Sequence, residues 1–255
     1  MDAETSRDGH CLTIDAAGLH YSELNRVLRE AVLGGAQHIE LRNVFGQRYI
    51  GTNLRTPADI QIHGTPGNDL GAFMDGPRIV VHGNAQDGCG NTMNDGEIIV
   101  HGHAGDIIGL SARGGKIFVR EGVGYRAAIH MKEYEDKKPA LVIGGTAQDF
   151  LAEYMAGGIV VVLGLNGKSG NGHQPRFVGT GMHGGVIYLR GQVEEWQLGK
   201  EVGVSQLNRK GRAILRDLVT QFAAHFGFDA EKILAGRFVK LFPLHLRPYG
   251  ELYAY

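Results

Sequence analysis

The chain has 255 residues, 43% of them hydrophobic, enough for a substantial core. Its 26 Lys and Arg against 27 Asp and Glu leave a net charge of −1, which gives no electrostatic footprint for nucleic acid or an anionic membrane. Glycine is the outlier, with 40 residues spread between apolar runs without G-X-Y order; this excludes collagen and a flexible linker and points to many tight turns between short strands.

Residues 1–10 are polar and lack the apolar segment of a signal peptide. No window approaches the roughly 18 apolar residues of a membrane span. The two cysteines, Cys11 and Cys89, form no C-x-x-C pair, so no zinc ribbon or iron–sulfur ligand set is encoded, and isolated thiols fit a reducing compartment. A cytoplasmic protein is expected. Apolar alternation from Cys11 reads as a strand, and residues 20–34 read as an amphipathic helix with Ser22 as N-cap and Gly34 as its stop. Residues 1–36 thus form a strand-and-helix lead-in.

Residues 37–192 repeat. Segments of the pattern apolar, any, apolar begin at Ile60, Ile79, Ile98 and Ile117, a step of 19 each time. The next begins at Leu141, the extra five residues falling in a charged loop at 132–138. Val160 follows after 19, and Ile187 after 27, the extra eight falling at 166–174. An earlier rung at Ile39 precedes Ile60 by 21. Other columns keep the phase: Gly71, Gly90, Gly109 and Gly179 stand eight residues before a rung, and Met74, Met93, Met155 and Met182 five before, with Ala112 in the same column.

A two-residue period marks strands. Strands this short cannot bury a face alone, but stacked copies pair every backbone group with the turns above and below. The step is too short for a propeller blade, and the leucine-rich repeat pattern is absent. The expected fold is therefore all-β: a right-handed single-stranded parallel β-helix of about seven to eight rungs with helical terminal extensions. The inward residues form aliphatic ladders, the methionines line a second wall, and the glycines supply corners. Residues 193–255 read as a helical and extended tail that packs on the β-helix, with helical spacing from Gln206 to Phe226, a second short helix near Asp229 and an extended end with two prolines.

No catalytic set emerges. His63, His82 and His101 share one outward register with Arg120 next, but side chains in one column run parallel rather than converging, so a solvated ladder is expected rather than a metal site. Residues 163–169 imitate a phosphate loop, but the first glycine of G-x-x-x-x-G-K-S would fall at Val162. Cys89 shares a column with Leu70, Ile108 and Leu151 and reads as a small buried hydrophobe. The informative column is the outward one, Gln61, Val80, Ile99, Phe118, Val142, Val161 and Tyr188: an apolar stripe on a face that should meet water requires a cover. The C-terminal helix is the expected cover; a partner is the alternative.

The repeat G-x-x-M-x-x-G-x-I-x-V-x-G resembles the G-X-G-X-G domain family, which includes the C-terminal domain of the glutamate synthase large subunit and one component of formylmethanofuran dehydrogenase. Residues 64–73 (GTPGNDLGAF), 122–124 (GVG) and 153–164 (EYMAGGIVVVLG) favour the glutamate synthase side, and residues 42–54 (RNVFGQRYIGTNL) resemble the stretch that leads into that domain. The resemblance implies a domain without catalytic residues or cofactors of its own. Here it stands as a separate chain, which implies partner subunits: a glutaminase-like amidotransferase, and a synthase carrying FMN and iron–sulfur clusters. N-methylglutamate synthase has a similar split layout, the formylmethanofuran-type complex is the alternative, and self-association is a further option.

The register generates a direct test. Val100→Asp buries an unpaired carboxylate among the aliphatic ladders and is expected to abolish folding, as read by circular dichroism and thermal melting. A cooperative, unshifted melt of that variant would overturn the register.

Overall fold

A computed structural model describes residues 5–8, 11–166 and 175–245. From 167 onward the loop read at 166–174 lies outside the described residues, as does the tail from 246. In chain order the elements are β1 (Thr5–Asp8), β2 (Cys11–Asp15), α1 (Tyr21–Leu33), β3 (His38–Phe45), β4 (Asp59–Thr65), β5 (Asp75–Val81), β6 (Asp95–Val100), β7 (Lys116–Val119), β8 (Ala140–Ile143), β9 (Ala156–Val162), β10 (Gly184–Arg190), β11 (Val202–Ser205), α2 (Arg209–Phe226), α3 (Ala230–Leu234) and β12 (Phe238–Pro243).

All the strands join one 12-stranded sheet in the order β1-β2-β3-β4-β5-β6-β7-β8-β9-β10-β12-β11. From β2 to β10 every neighbour is parallel, which makes a parallel β-solenoid. Ile39, Ile60, Ile79, Ile98, Ile117, Leu141, Val160 and Ile187 stand opposite one another in succession, so six turns separate Ile60 from Ile187 and β3 supplies the earlier rung. The ladder is dry: Ile60, Ile79, Ile98, Leu141, Val160 and Ile187 are each 0% exposed. One of the two extra residues before Ile60 is a bulge in β3, where Asn43 takes a φ of 56°.

The opposite wall is not a regular sheet. In each turn three alternate residues have left-handed backbone, for example Asp69, Gly71 and Phe73 at φ 60°, 65° and 57°. Their amides alternate in direction: those of Asp69 and Phe73 donate to the next turn, at Asp87 and Asn91, while that of Gly71 donates back to Ile50. The wall is thus a second inter-turn ladder built from alternating conformations. Only its middle column is small, Gly71, Gly90, Gly109, Ala128, Ala152 and Gly179, because that column faces the aliphatic ladder across the core. A Cβ on Gly90 would overlap Cδ1 of Ile117. The flanking columns hold Thr92, Ser111 and Tyr154 at positive φ, residues that carry no left-handed signature in the sequence.

The methionine column continues through Met131, 19 residues after Ala112, and Met74, Met93, Met131 and Met155 are each 0% exposed. The insertion at 132–138 begins just after Met131, which therefore stands ten residues before its rung rather than five.

The ends are closed differently. Helix α1 buries Leu24, Leu28 and Val32 in the same core as Ile14 and Leu41. Its N-cap is His20 rather than Ser22; the Ser22 hydroxyl lies inside the first turn and bonds the His20 ring at 2.7 Å. Gly34 is the C-cap, as its sequence position suggests. At the other end the chain turns back: β12 pairs antiparallel with β10, β11 closes on β12, and Val239 and Leu241 plug the core.

Gly90→Ala combines a left-handed residue with an overlap in a packed core and is expected to cost about 2–5 kcal/mol, measured by denaturant unfolding. An unchanged midpoint would overturn this account of the glycine column.

Candidate functional site

The outward stripe forms a second core with the tail. Val80, Ile99, Phe118, Val142, Val161 and Tyr188 pack in one cluster with Leu215, Leu218, Val219 and Phe222 of α2 and with Ile233 of α3. Helix α2 starts at Asn208, whose side chain caps the Gly211 amide at 2.8 Å, and ends at a left-handed Gly227. It runs back along the stack. Gly211 sits against Tyr188 on β10, Phe222 against Gly144 just after β8, Gln221 accepts from Lys116 Nζ at 2.7 Å on β7, and the His225 ring lies 4.8 Å from that of Phe118. The helix ends near β6, where Phe226 meets His101 edge-on at 5.1 Å. Gln61, the polar member of the column, stands on β4 with its Oε1 2.8 Å from His82 Nε2.

The histidine ladder lies beside that helix end. His63 stacks on His82 at 4.6 Å and His82 on His101 at 5.3 Å, and His63 Nε2 is 3.0 Å from Glu40. Burial is the main reason both His82 and His101 are held below the ordinary 6.5; neighbouring His63 adds to it at His82, and His82 and Arg120 add to it at His101. Next to the ladder, charges alternate up the stack: Asp59 to Arg78 at 2.7 Å and Arg78 to Glu97 at 3.1 Å. On the far wall Asp87 and Asp106 each accept the amide one turn up, from Asp106 and Tyr125, at 2.8 Å.

The left-handed wall also carries aromatic side chains outward. Phe150 stacks on Phe177 at 4.9 Å with Arg126 over its face at 4.7 Å, and His130 stacks on Tyr154 at 5.4 Å. Arg126 also pairs with the buried Glu153 carboxylate. Tyr154 and Phe177 stay about half exposed, at 46% and 48%. Their signal in the sequence is position alone: Phe177 stands two residues before Gly179, and Tyr154 stands two after the alanine that replaces the column glycine.

The chemistry available is sparse. Among the described residues no three His, Cys, Asp or Glu side chains converge as metal ligands. Cys89 is fully buried and burial pushes its thiol up to about 12, so it is no nucleophile. Cys11 is part-buried in β2. No helix among the described residues is long and apolar enough to cross a membrane. The repeat glycines and methionines are interior or conformational, and the stripe lies under α2; none of these sequence-selected residues meets in a cleft.

A family model for the GXGXG motif matches residues 36–244. The chain belongs to the GXGXG motif family. The match extends past the solenoid through β12, so the antiparallel closure lies within the GXGXG match. The uncharacterized protein MJ1350 of Methanocaldococcus jannaschii is 44% identical over 250 residues, covering 95% of this chain and 96% of its own. Among solved structures, a chain of the formyltransferase/hydrolase complex FhcABCD from Methylorubrum extorquens, determined in complex with methylofuran, superposes with a TM-score of 0.58 at 17% identity, over 88% of this chain and 87% of that one. At that identity the likeness is one of fold.

The histidine ladder predicts a pH profile. A histidine whose folded value lies below its unfolded value contributes fully above about pH 6.5, and that contribution is lost as the pH falls through the folded value. The melting temperature is expected to fall between pH 7 and pH 5, and the His82→Gln/His101→Gln variant to fall less over the same range. Parallel profiles for the two proteins would remove the ladder as the cause.

Proposed function

We propose that the chain is a non-catalytic structural subunit of a cytoplasmic, glutamate-synthase-type assembly, in which a glutaminase-like amidotransferase and an FMN/iron–sulfur synthase carry glutamine-dependent amination of 2-oxoglutarate. The observation that supports this reading is the work done by the signature residues. Gly64 and Gly67, within the 64–73 stretch, press against the carbonyls of Val44 and Gly46 in the turn below, and Asp69 accepts from Asn91 at 3.0 Å. Gln47, within 42–54, donates to the carbonyls of Ala16 and Leu19 at 2.9 and 3.3 Å and ties the solenoid to its lead-in. Glu153 is used on Arg126. Each makes a structural contact, which is what a subunit that holds others in place requires, and the half-exposed aromatics of the left-handed wall offer anchor groups for contact.

The fold likeness to a chain of FhcABCD favours a second reading, a component of a formyltransferase or formylmethanofuran dehydrogenase-type complex. Affinity purification of the native protein from its own extract, with mass spectrometry and a visible spectrum, separates the two. The first reading expects a glutaminase-like chain and a flavin/iron–sulfur chain; the second expects a formyltransferase or a molybdenum or tungsten oxidoreductase. The first also expects no glutamate from glutamine and 2-oxoglutarate with the pure chain alone, and flavin-independent turnover by that chain would overturn it.

A further inference from the structure

Where α2 leaves the sheet, a cavity of about 600 Å³ opens between α2, α3, β12 and β11. Leu207, Leu215 and Phe238 supply its apolar surface, and Arg212, Arg216 and Arg237 supply its charge. Among the described residues no Asp or Glu lines it. The size is that of a recognition cleft rather than a packing defect.

The positive charge is poorly compensated from within the chain. The first turns of α2 carry Arg209, Lys210, Arg212 and Arg216, and its first turn has no acid, although cations are disfavoured at a helix N-terminus. Arg216 pairs with Glu231, but Arg212 spends its Nε on the Leu207 carbonyl at 3.1 Å, and Arg237 has no side-chain partner among the described residues. Behind the cleft, Arg190 packs on Gly236, and its buried Nε has no acceptor among the described residues. A local arrangement that runs against helix electrostatics is where an external anion is expected.

The neighbouring backbone narrows the class of that anion. Strand β11 is the last strand of the sheet, so one of its edges is unpaired among the described residues. That strand reads Val202, Gly203, Val204, Ser205, without a charged side chain to guard the edge, and Val204 is 50% exposed. An arginine fork matches a carboxylate, and a bare edge matches an extended chain. A small anion would use the arginines and leave the edge and Val204 idle.

We propose that this cleft docks an extended acidic segment of a partner protein, which adds to the edge of β11, seats an apolar residue over Leu207 and Phe238, and places its carboxylates on Arg212 and Arg237. The proposal rests on the reading of the chain as a subunit of an assembly and specifies where that assembly grips it.

The test uses the full chain in its native complex. Val204→p-benzoylphenylalanine is photolysed and the cross-linked peptide sequenced. The expected product is a peptide of a co-purifying protein with Asp or Glu within a few residues of the cross-linked site. The Arg212→Glu/Arg237→Glu variant is expected to melt like the wild type and to bind that protein at least tenfold more weakly. Cross-linking to residues 246–255 of the same chain, to a second copy or to a basic segment overturns the proposal. So does unchanged affinity of the charge-reversed variant, or an intact complex with no cross-link. Those outcomes leave the structural-subunit reading standing. If no partner accompanies the wild-type chain, both fall.

Discussion

The constraint on which everything else depends is register. In a parallel stack each turn must return its backbone to the same height relative to the last, because every inter-turn hydrogen bond on both walls is shared with a neighbour. Nineteen residues satisfy that closure here, and the chain keeps to it wherever it can. Where it departs, as at 132–138, the extra residues leave the stack and rejoin it in phase: Lys137 reaches back over the lower turns to Asp75 at 3.1 Å while Leu141 still stands opposite Ile117. The second wall obeys the same closure by another route, with alternating left-handed residues sending amides up and down in turn.

This division decided what could be read from the sequence. The strands β4–β10 were legible because an inward position admits only an aliphatic side chain, and that demand recurs at a fixed step. The glycine column was legible for the same reason, but the corners it was expected to form proved to be the centre of a whole left-handed wall, since the flanking columns accept Asp, Ile, Thr or Tyr and leave no compositional mark. Met131 escaped because an insertion separates it from its rung, not from its column. Strands β11 and β12 escaped because a single antiparallel pass has no period; the prolines near 243 read only as extended chain. The arginine cleft has no sequence signature at all, since its residues come from segments between Val204 and Val239 that only the closing of α2 and β12 brings together.

The surface divides by the same logic. The face under α2 is spent: its apolar column is covered by a helix of the same chain that ends beside His101, and two rungs beyond Ile99 the column turns polar at Gln61. The wall opposite and the cleft at the C-terminal end are not spent in that way. A chain whose interior is occupied by ladders can act only through such surfaces, and they differ in kind, one aromatic and distributed along the stack, the other cationic and confined to one end.

The reversal of strand direction at both ends has a consequence for length. β1 runs antiparallel to β2, β12 antiparallel to β10 and β11 antiparallel to β12, so at each end the last parallel strand is followed by an antiparallel pass rather than by another turn of the coil. The stack is therefore a closed measure rather than an open fibre, and the distance from Ile60 to Ile187 is fixed at about 29 Å by six strand spacings. Such a rod can change its span only in whole steps: adding or removing a complete 19-residue turn moves the two ends by about 4.8 Å and leaves both terminators intact. Whatever is held at its two ends is kept apart by a gauge whose graduations are single turns of backbone.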